Sequence, residues 1–140
     1  MTIKQLSIFI ENKSGTLLQV LNILKDNGIS IIVSTLSDTQ DFGIYRIICD
    51  NAEQACSILR ENGINVTISK VFAIRLSENK VGAAADTMAL ITKDGVDIKY
   101  MYSFMLEGTG VLVFRADDDE KAQKTIACHK LQCLSETDLK

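Results

Sequence analysis

Apolar and polar positions divide the first half of the chain into short elements. Ile3 to Ile10 alternates and is rich in β-formers, which predicts a strand. Past a polar stretch, Leu17, Leu21 and Leu24, with Val20 and Ile23 beside them, recur at helical spacing and mark one face of a helix. Ser14 is placed to cap its start, and Asn27-Gly28 is a C-terminal stop. Ile29 to Leu36 predicts a second strand. Asp41-Phe42-Gly43 turns the chain into a third, Ile44 to Asp50. Ala52, Ala55, Cys56 and Leu59 predict a second helix, closed by Asn62-Gly63, and Ile64 to Ser69 a fourth strand.

The same pattern is then written again. ENKSG, Glu11 to Gly15, returns as ENKVG, Glu78 to Gly82, an offset of 67 from position 11 to position 78. At that offset Gly28 meets Gly95, Ile31 meets Ile98, Gly43 meets Gly110, Asp50 meets Asp117, Glu53 meets Glu120 and Ala55 meets Ala122, without a gap. The chain is a duplication, predicting one module over residues 1–69 and a second over 70–140. The second half predicts strand Val71 to Ser77, helix Ala83 to Lys93, strand Val96 to Met105, strand Val111 to Asp117, helix Asp119 to His129 and a short last strand near Leu131 to Leu134. Each half therefore reads β-α-β-β-α-β, an α+β ferredoxin-like module with both helices on one face of an antiparallel sheet.

The third strands are apolar on both faces. Tyr45, Ile47 and Cys49 oppose Ile44 and Ile48, which flank Arg46, and Val111 and Val113 oppose Leu112 and Phe114. A half-exposed strand alternates apolar with polar. The expectation is that a second chain covers the helix-free face, in a homodimer.

Composition narrows the function classes. Of 140 residues, 46% are hydrophobic and 24% charged, the balance of a globular protein with a core. No apolar run approaches the roughly 18 residues that span a bilayer, and MTIKQLSIFIENK lacks the features of a secretory signal, so the expected location is the cytoplasm. Net charge is −3 with scattered basic residues, which argues against nucleic acid as a partner. Cys49, Cys56, Cys128 and Cys133 form no C-x-x-C pair, and Cys128-His129 with Cys133 has no second ligand pair for a metal. The acidic run Asp117 to Glu120 sits at a predicted helix start, where the helix dipole favours carboxylates. No nucleophile has an identifiable partner, so neither catalysis, metal nor cofactor is expected.

The duplicated loop joins the first strand to the first helix of each module. A helix start carries unpaired N–H groups and partial positive charge, and glycine lets a ligand approach the backbone. Asn12 and Asn79 add amides that both donate and accept, suited to a ligand with an ammonium and a carboxylate. The same residues also serve as ordinary turn and cap chemistry. Both readings stand on these residues alone.

A resemblance bears on the choice. The order β-α-β-β-α-β, with a polar-residue–Gly–x–Leu loop after strand one, resembles the ACT domain, a small module that binds amino acids. ENKSGTL, DNGISI and SDTQDFGIYRIICDNAEQA resemble the first half of small stand-alone tandem ACT proteins, and IKYMYSFMLEGTGVLVFRADDDEKA resembles the second. The resemblance implies modules paired side by side through their second strands into an eight-stranded sheet. It places ligands at the junction, between the loop of one module and the second strand of the other. The implied loop residues are Asn12, Lys13, Ser14, Gly15, Thr16 and Leu17, and Asn79, Lys80, Val81, Gly82 and Ala83. The implied strand residues are Ser34, Thr35 and Leu36, and Tyr100, Met101 and Tyr102.

The chain departs from the family at the position before the loop glycine. Proline is common there, whereas Ser14 and Val81 stand here and the chain has no proline. Serine replaces the lost rigidity with a cap hydrogen bond and valine does not. With Thr16 facing Ala83 as well, the first loop is expected to anchor ligand better than the second. The leading expectation is a non-catalytic amino-acid sensor acting on a partner, such as an enzyme of amino-acid metabolism. The alternative is a regulatory interaction module that binds no ligand.

Overall fold

The computed structural model describes residues 1–11, 14–38, 42–76 and 81–140. The side chains of Ser14 and Asp38 lie outside that description, as do Asn12, Lys13, Asn79 and Lys80 of the expected site. By compactness the chain divides into two units. One holds Lys4–Ser69 with Lys140; the other holds Lys70–Leu139 with Met1–Ile3.

The first unit runs β1 (Ile3–Glu11), α1 (Ser14–Asp26), β2 (Ile31–Asp38), β3 (Phe42–Cys49), α2 (Ala52–Glu61) and the start of β4 (Val66–Arg75). Its strands lie in the order β2-β3-β1-β4. The β1–β3 ladder is antiparallel, with Leu6 opposite Ile47, Ile8 opposite Tyr45 and Ile10 opposite Gly43. These side chains share the face on which the helices pack. Leu6, Ile8, Tyr45 and Ile47 are buried with Val20 and Leu24 of α1 and Ala55, Cys56 and Leu59 of α2. The helical face expected from the leucine spacing is therefore the one that packs, and burying each such side chain contributes about 1.5–3 kcal/mol.

The second unit repeats the plan with β4, α3 (Ala83–Lys93), β5 (Ile98–Leu106), β6 (Thr109–Ala116), α4 (Asp119–Cys128), β7 (Gln132–Cys133) and α5 (Glu136–Leu139). The β4 residues Phe72 to Arg75 pair antiparallel with β6 and, at Ile74 and Arg75, with β7. Phe72 and Phe114 stack with centroids 5.5 Å apart, under Ile91 of α3 and Ala122 and Ile126 of α4. The closing helix α5 has no counterpart in the expected repeat. It buries Leu139 and is fastened by Asp138, which accepts from the Ser135 N–H at 2.8 Å.

The described residues form seven strands, which corrects the expected eight. The sequence pattern separates Ile64 to Ser69 from Val71 to Ser77, yet one strand, β4, occupies Val66–Arg75. Its sequence VTISKVFAIR contains no Gly, Pro, Asn or Asp, so the extended backbone continues through Ser69-Lys70. Both second strands end their order, β2 pairing with β3 and β5 with β6.

On the helix-free face, Ile48, Val111 and Val113 are buried within the single chain.

Candidate functional site

The duplicated loops start their helices differently. An offset of 67 carries Ser14, the first residue of α1, onto Val81, but α3 begins at Ala83, two residues later. Ser14 is thus the first helical residue rather than the residue before the helix. Gly82 occupies that outer position in the second loop, with φ 88° and ψ −1°, and being glycine it offers no side-chain cap. Its carbonyl accepts the first helical bond, from the Asp86 N–H at 2.9 Å. Gly82 is a conformational requirement, because only glycine enters the left-handed region without strain. Gly15 is not: it lies in the helix, and a Cβ placed there would meet nothing within 4 Å. One shared letter of the repeat therefore has two roles.

The neighbouring positions differ as well. Thr16 and Leu17 are half-buried, and Leu17 packs against the first-unit core. Val81 is fully exposed and Ala83 is half-buried.

On the second strands, Ser34 and Leu36 lie opposite Ile47 and Tyr45, on the helix side, whereas Thr35 lies opposite Arg46 on the other face. Leu36 reaches back over Gly43, where a Cβ would stand 3.3 Å from its Cδ1. Gly43 itself pairs with Ile10, one residue before the end of β1. The fold therefore brings Leu36 to the end of the sheet from which the first loop departs. In the second unit Met101 lies opposite Phe114 on the helix side, and Tyr100 and Tyr102 lie opposite Arg115 and Val113 on the helix-free side. The three second-strand candidates of each unit are therefore split between two faces. The expected site residues do not all share one surface.

Arg46 carries a polar row that the sequence pattern did not single out. It sits between Ser7 on β1 and Thr35 on β2, and its Nη1 donates to Ser37 Oγ at 3.2 Å. A lone arginine inside the apolar strand FGIYRIIC is the signal available for it.

The Lys4 ammonium, 2.6 Å from Glu53, holds that carboxyl below its ordinary value. Hydrogen bonds from the Ser135 backbone and side chain hold Asp138 low, while burial pushes the Cys133 thiol up. Two open depressions, of about 340 and 300 Å³, lie along α4, and among the described residues none of the expected ones lines them. Among the described residues no group of three His, Cys, Asp or Glu side chains is placed to hold a metal, and no helix is long and apolar enough to cross a membrane.

Comparisons with known proteins give the wider setting. A family model described as an ACT domain pair matches residues 1–140. A solved structure of a protein from Bacteroides thetaiotaomicron is similar over 99% of this chain and 96% of that one, with 34% identity and a TM-score of 0.92. The ligand-free regulatory subunit of aspartate kinase from Thermus thermophilus shares the fold at 16% identity, covering 89% and 91% of the two chains with a TM-score of 0.63. A putative C-terminal regulatory domain of aspartate kinase from Porphyromonas gingivalis does so at 14% identity, covering 91% and 93% with a TM-score of 0.54. No curated protein matches the chain.

Proposed function

Because the chain belongs to the ACT domain pair family, we propose that it is a non-catalytic regulatory protein that binds a free amino acid at a junction of two ACT modules. Its output passes to a partner, an enzyme of amino-acid metabolism in the cytoplasm, and the working form is a homodimer. The first loop, around Ser14, Gly15 and Thr16, supplies the stronger anchor. The observation that carries this ranking is the two-residue difference between the helix starts. In α1 the N–H groups of Ser14, Gly15 and Thr16 belong to the first turn and are free of intrahelical partners, as any helix start requires. A ligand carboxylate is stabilised there by the same N–H groups and partial charge that hold anions at other helix starts. In the second unit the corresponding backbone is diverted through Gly82 before the helix begins.

A thermal-shift screen against the common amino acids tests the binding. A ligand at a hundred times its dissociation constant stabilises by about 2.7 kcal/mol. Calorimetry with the ligand so found is expected to resolve two unequal sites, and two equal sites would remove the ranking. A regulated partner can respond only as far as the ligand prefers one arrangement over another.

A second reading is supported by the exposed Val81 and by Gly82, which offers α3 no side-chain cap. In it the chain is an interaction module that binds no amino acid. No thermal shift with any amino acid, together with a stable complex with an enzyme, is what that reading expects.

A further inference from the structure

The helix-free sheet faces of the two units are finished differently. In the second unit that face carries Ala73 and Arg75 on β4, opposite Val113 and Val111 on β6. Their neighbours Phe72, Ile74 and Phe114 point the other way, into the helix-side core. The chain returns to this part of β4 after β7, where the Leu134 N–H donates to the Ala73 carbonyl at 2.8 Å. It then forms α5. Bonds from Ser135 hold the Asp138 carboxyl low and the Arg75 charge adds to them, so α5 presents Asp138 on the Arg75 side of the sheet. The next residue, Leu139, is buried. At the offset of 67, Glu136–Leu139 corresponds to Ser69–Phe72, which runs on as β4, so this segment gives the first unit no counterpart of α5.

The ladders of the first unit lay out its own helix-free face. Ser7 and Phe9 on β1 stand opposite Arg46 and Ile44 on β3, and these stand opposite Thr35 and Ser37 on β2. Ile44 corresponds to Val111 at the offset of 67, so Phe9 holds the place that Arg75 holds in the second unit. There Phe9 is 38% exposed, and its ring lies 5.7 Å from that of Phe42. Arg46 sits diagonally across from Phe9, half-buried, with its Nη1 on Ser37. Diagonal neighbours of this kind lie about 7–8 Å apart, within reach of long side chains. Glu11, opposite Phe42, is the acid of this face and stands at its far rim from Arg46. A guanidinium presents five N–H donors in a planar fork, a geometry that takes a carboxylate alongside other partners. The face thus joins an aromatic and aliphatic surface to one arginine, as the second unit's face joins Val111 and Val113 to Arg75.

We propose that the helix-free face of the first unit docks a segment of a partner protein in which a carboxylate residue is followed by leucine or a similar aliphatic. The partner's carboxylate pairs with Arg46, and its aliphatic side chain rests on Phe9, Phe42 and Ile44. Asp138-Leu139 shows the chemistry, because α5 brings that dipeptide to the corresponding face of the second unit. Arginine holds a carboxylate by two parallel hydrogen bonds, which sets orientation as well as affinity. The inference deepens and rests on the reading that output passes to a partner, and it does not depend on the amino-acid site.

The test uses the full-length, isotope-labelled chain and a peptide of sequence LSETDLK, residues 134–140, blocked at both ends. Added at millimolar concentration, the peptide is expected to shift the backbone amide signals of Phe9, Ile44 and Arg46 in a saturable way. Asp138→Asn in the peptide weakens binding about fivefold, the upper end for an exposed ion pair, and Arg46→Gln in the chain does the same. Arg46→Lys recovers part of that loss. Phe9→Ser, at an exposed position, weakens binding with an unchanged far-ultraviolet spectrum, and it serves as the test should Arg46→Gln fail to fold. The absence of any saturable shift overturns the inference, as does binding that Asp138→Asn in the peptide leaves unchanged. Shifts at Arg75 and Leu139 in place of Phe9 and Arg46 overturn it too, because the peptide then displaces α5. So do concentration-dependent shifts at Phe9 and Arg46 in the chain alone, which mean that a second copy occupies the face. Peptide binding without a thermal shift from any amino acid leaves this inference standing and removes the ligand reading; an amino-acid shift without peptide binding does the reverse.

Discussion

Asp50 and Ser30 hold each other by two hydrogen bonds. The Ser30 N–H donates to the Asp50 carboxylate at 3.1 Å, and the Asp50 N–H donates to the Ser30 carbonyl at 3.1 Å. The second unit has the same clamp between Asp117 and Asp97, at 3.0 Å in both directions. The carboxylate secures the far end of the hairpin made by the second and third strands, just before Asn51 and Asp118 cap the following helices by accepting from the N–H of Gln54 and Lys121. The repeated aspartate is thus architecture.

Replacing it tests that role. Asp50→Ala and Asp117→Ala are each expected to cost about 1 kcal/mol, since a charge-assisted bond is lost at an exposed site where water satisfies the freed N–H. Asp50→Asn retains an acceptor and is expected to recover at least half of that loss. Urea denaturation reads both; equal losses for alanine and asparagine would contradict the clamp.

The two loop glycines are expected to respond in opposite directions. Gly15→Ala fills open space in a helical backbone and is expected to be neutral or to stabilise by about 0.4–1 kcal/mol, by restricting the unfolded chain. Gly82→Ala places a side chain at φ 88° and is expected to destabilise by about 1–2 kcal/mol. A thermal melt of the two variants distinguishes them by sign.

Ligand binding is expected to move independently of stability at Gly15. If a carboxylate rests against the first turn of α1, a methyl group at position 15 weakens binding while the fold holds. Calorimetry on Gly15→Ala should then show a loss at the stronger site and an unchanged weaker one. Loss at the weaker site alone would reverse the ranking of the loops.

Acid stability is expected to depend on Asp138. Bonds from Ser135, together with the nearby Arg75 charge, hold its folded value below the ordinary 3.8. A lowered carboxylate contributes stability that is present above the unfolded value and is lost as pH falls through the folded one. The contribution is therefore intact at neutral pH and disappears below about pH 4. Asp138→Asn should flatten this part of the acid limb measured by denaturation at pH 3 to 6. Burial of Cys133 acts at the other limb, because its thiol sits above the ordinary 9.0. The unfolded thiol ionises first as pH rises, so stability falls from about pH 9 upward, and Cys133→Ser should weaken that trend.

Much of this architecture was legible because it is local or periodic. The leucines of α1 reveal their packing face by spacing alone, and Gly28 and Gly95 mark their turns because each takes positive φ, 70° and 83°, past a helix end. The candidate site was less legible. Its residues share a motif, but Thr35 and Leu36, adjacent in sequence, fall on opposite faces of a strand. Arg46 was hidden for the converse reason: its companions Ser7 and Ser37 lie on other strands.

By itself the sequence determined the duplication, the order of elements and the faces that pack, because apolar spacing and turn residues act over a few positions. Only the tertiary structure decided that β4 runs unbroken through Ser69 and Lys70, and that Ile48, Val111 and Val113 are covered within the chain. It also decided that Gly15 and Gly82 do different work at the start of two helices. The physical reason is common to all three. Strand continuation, burial and backbone φ are settled by what packs against a segment, and distant parts of the chain supply that environment.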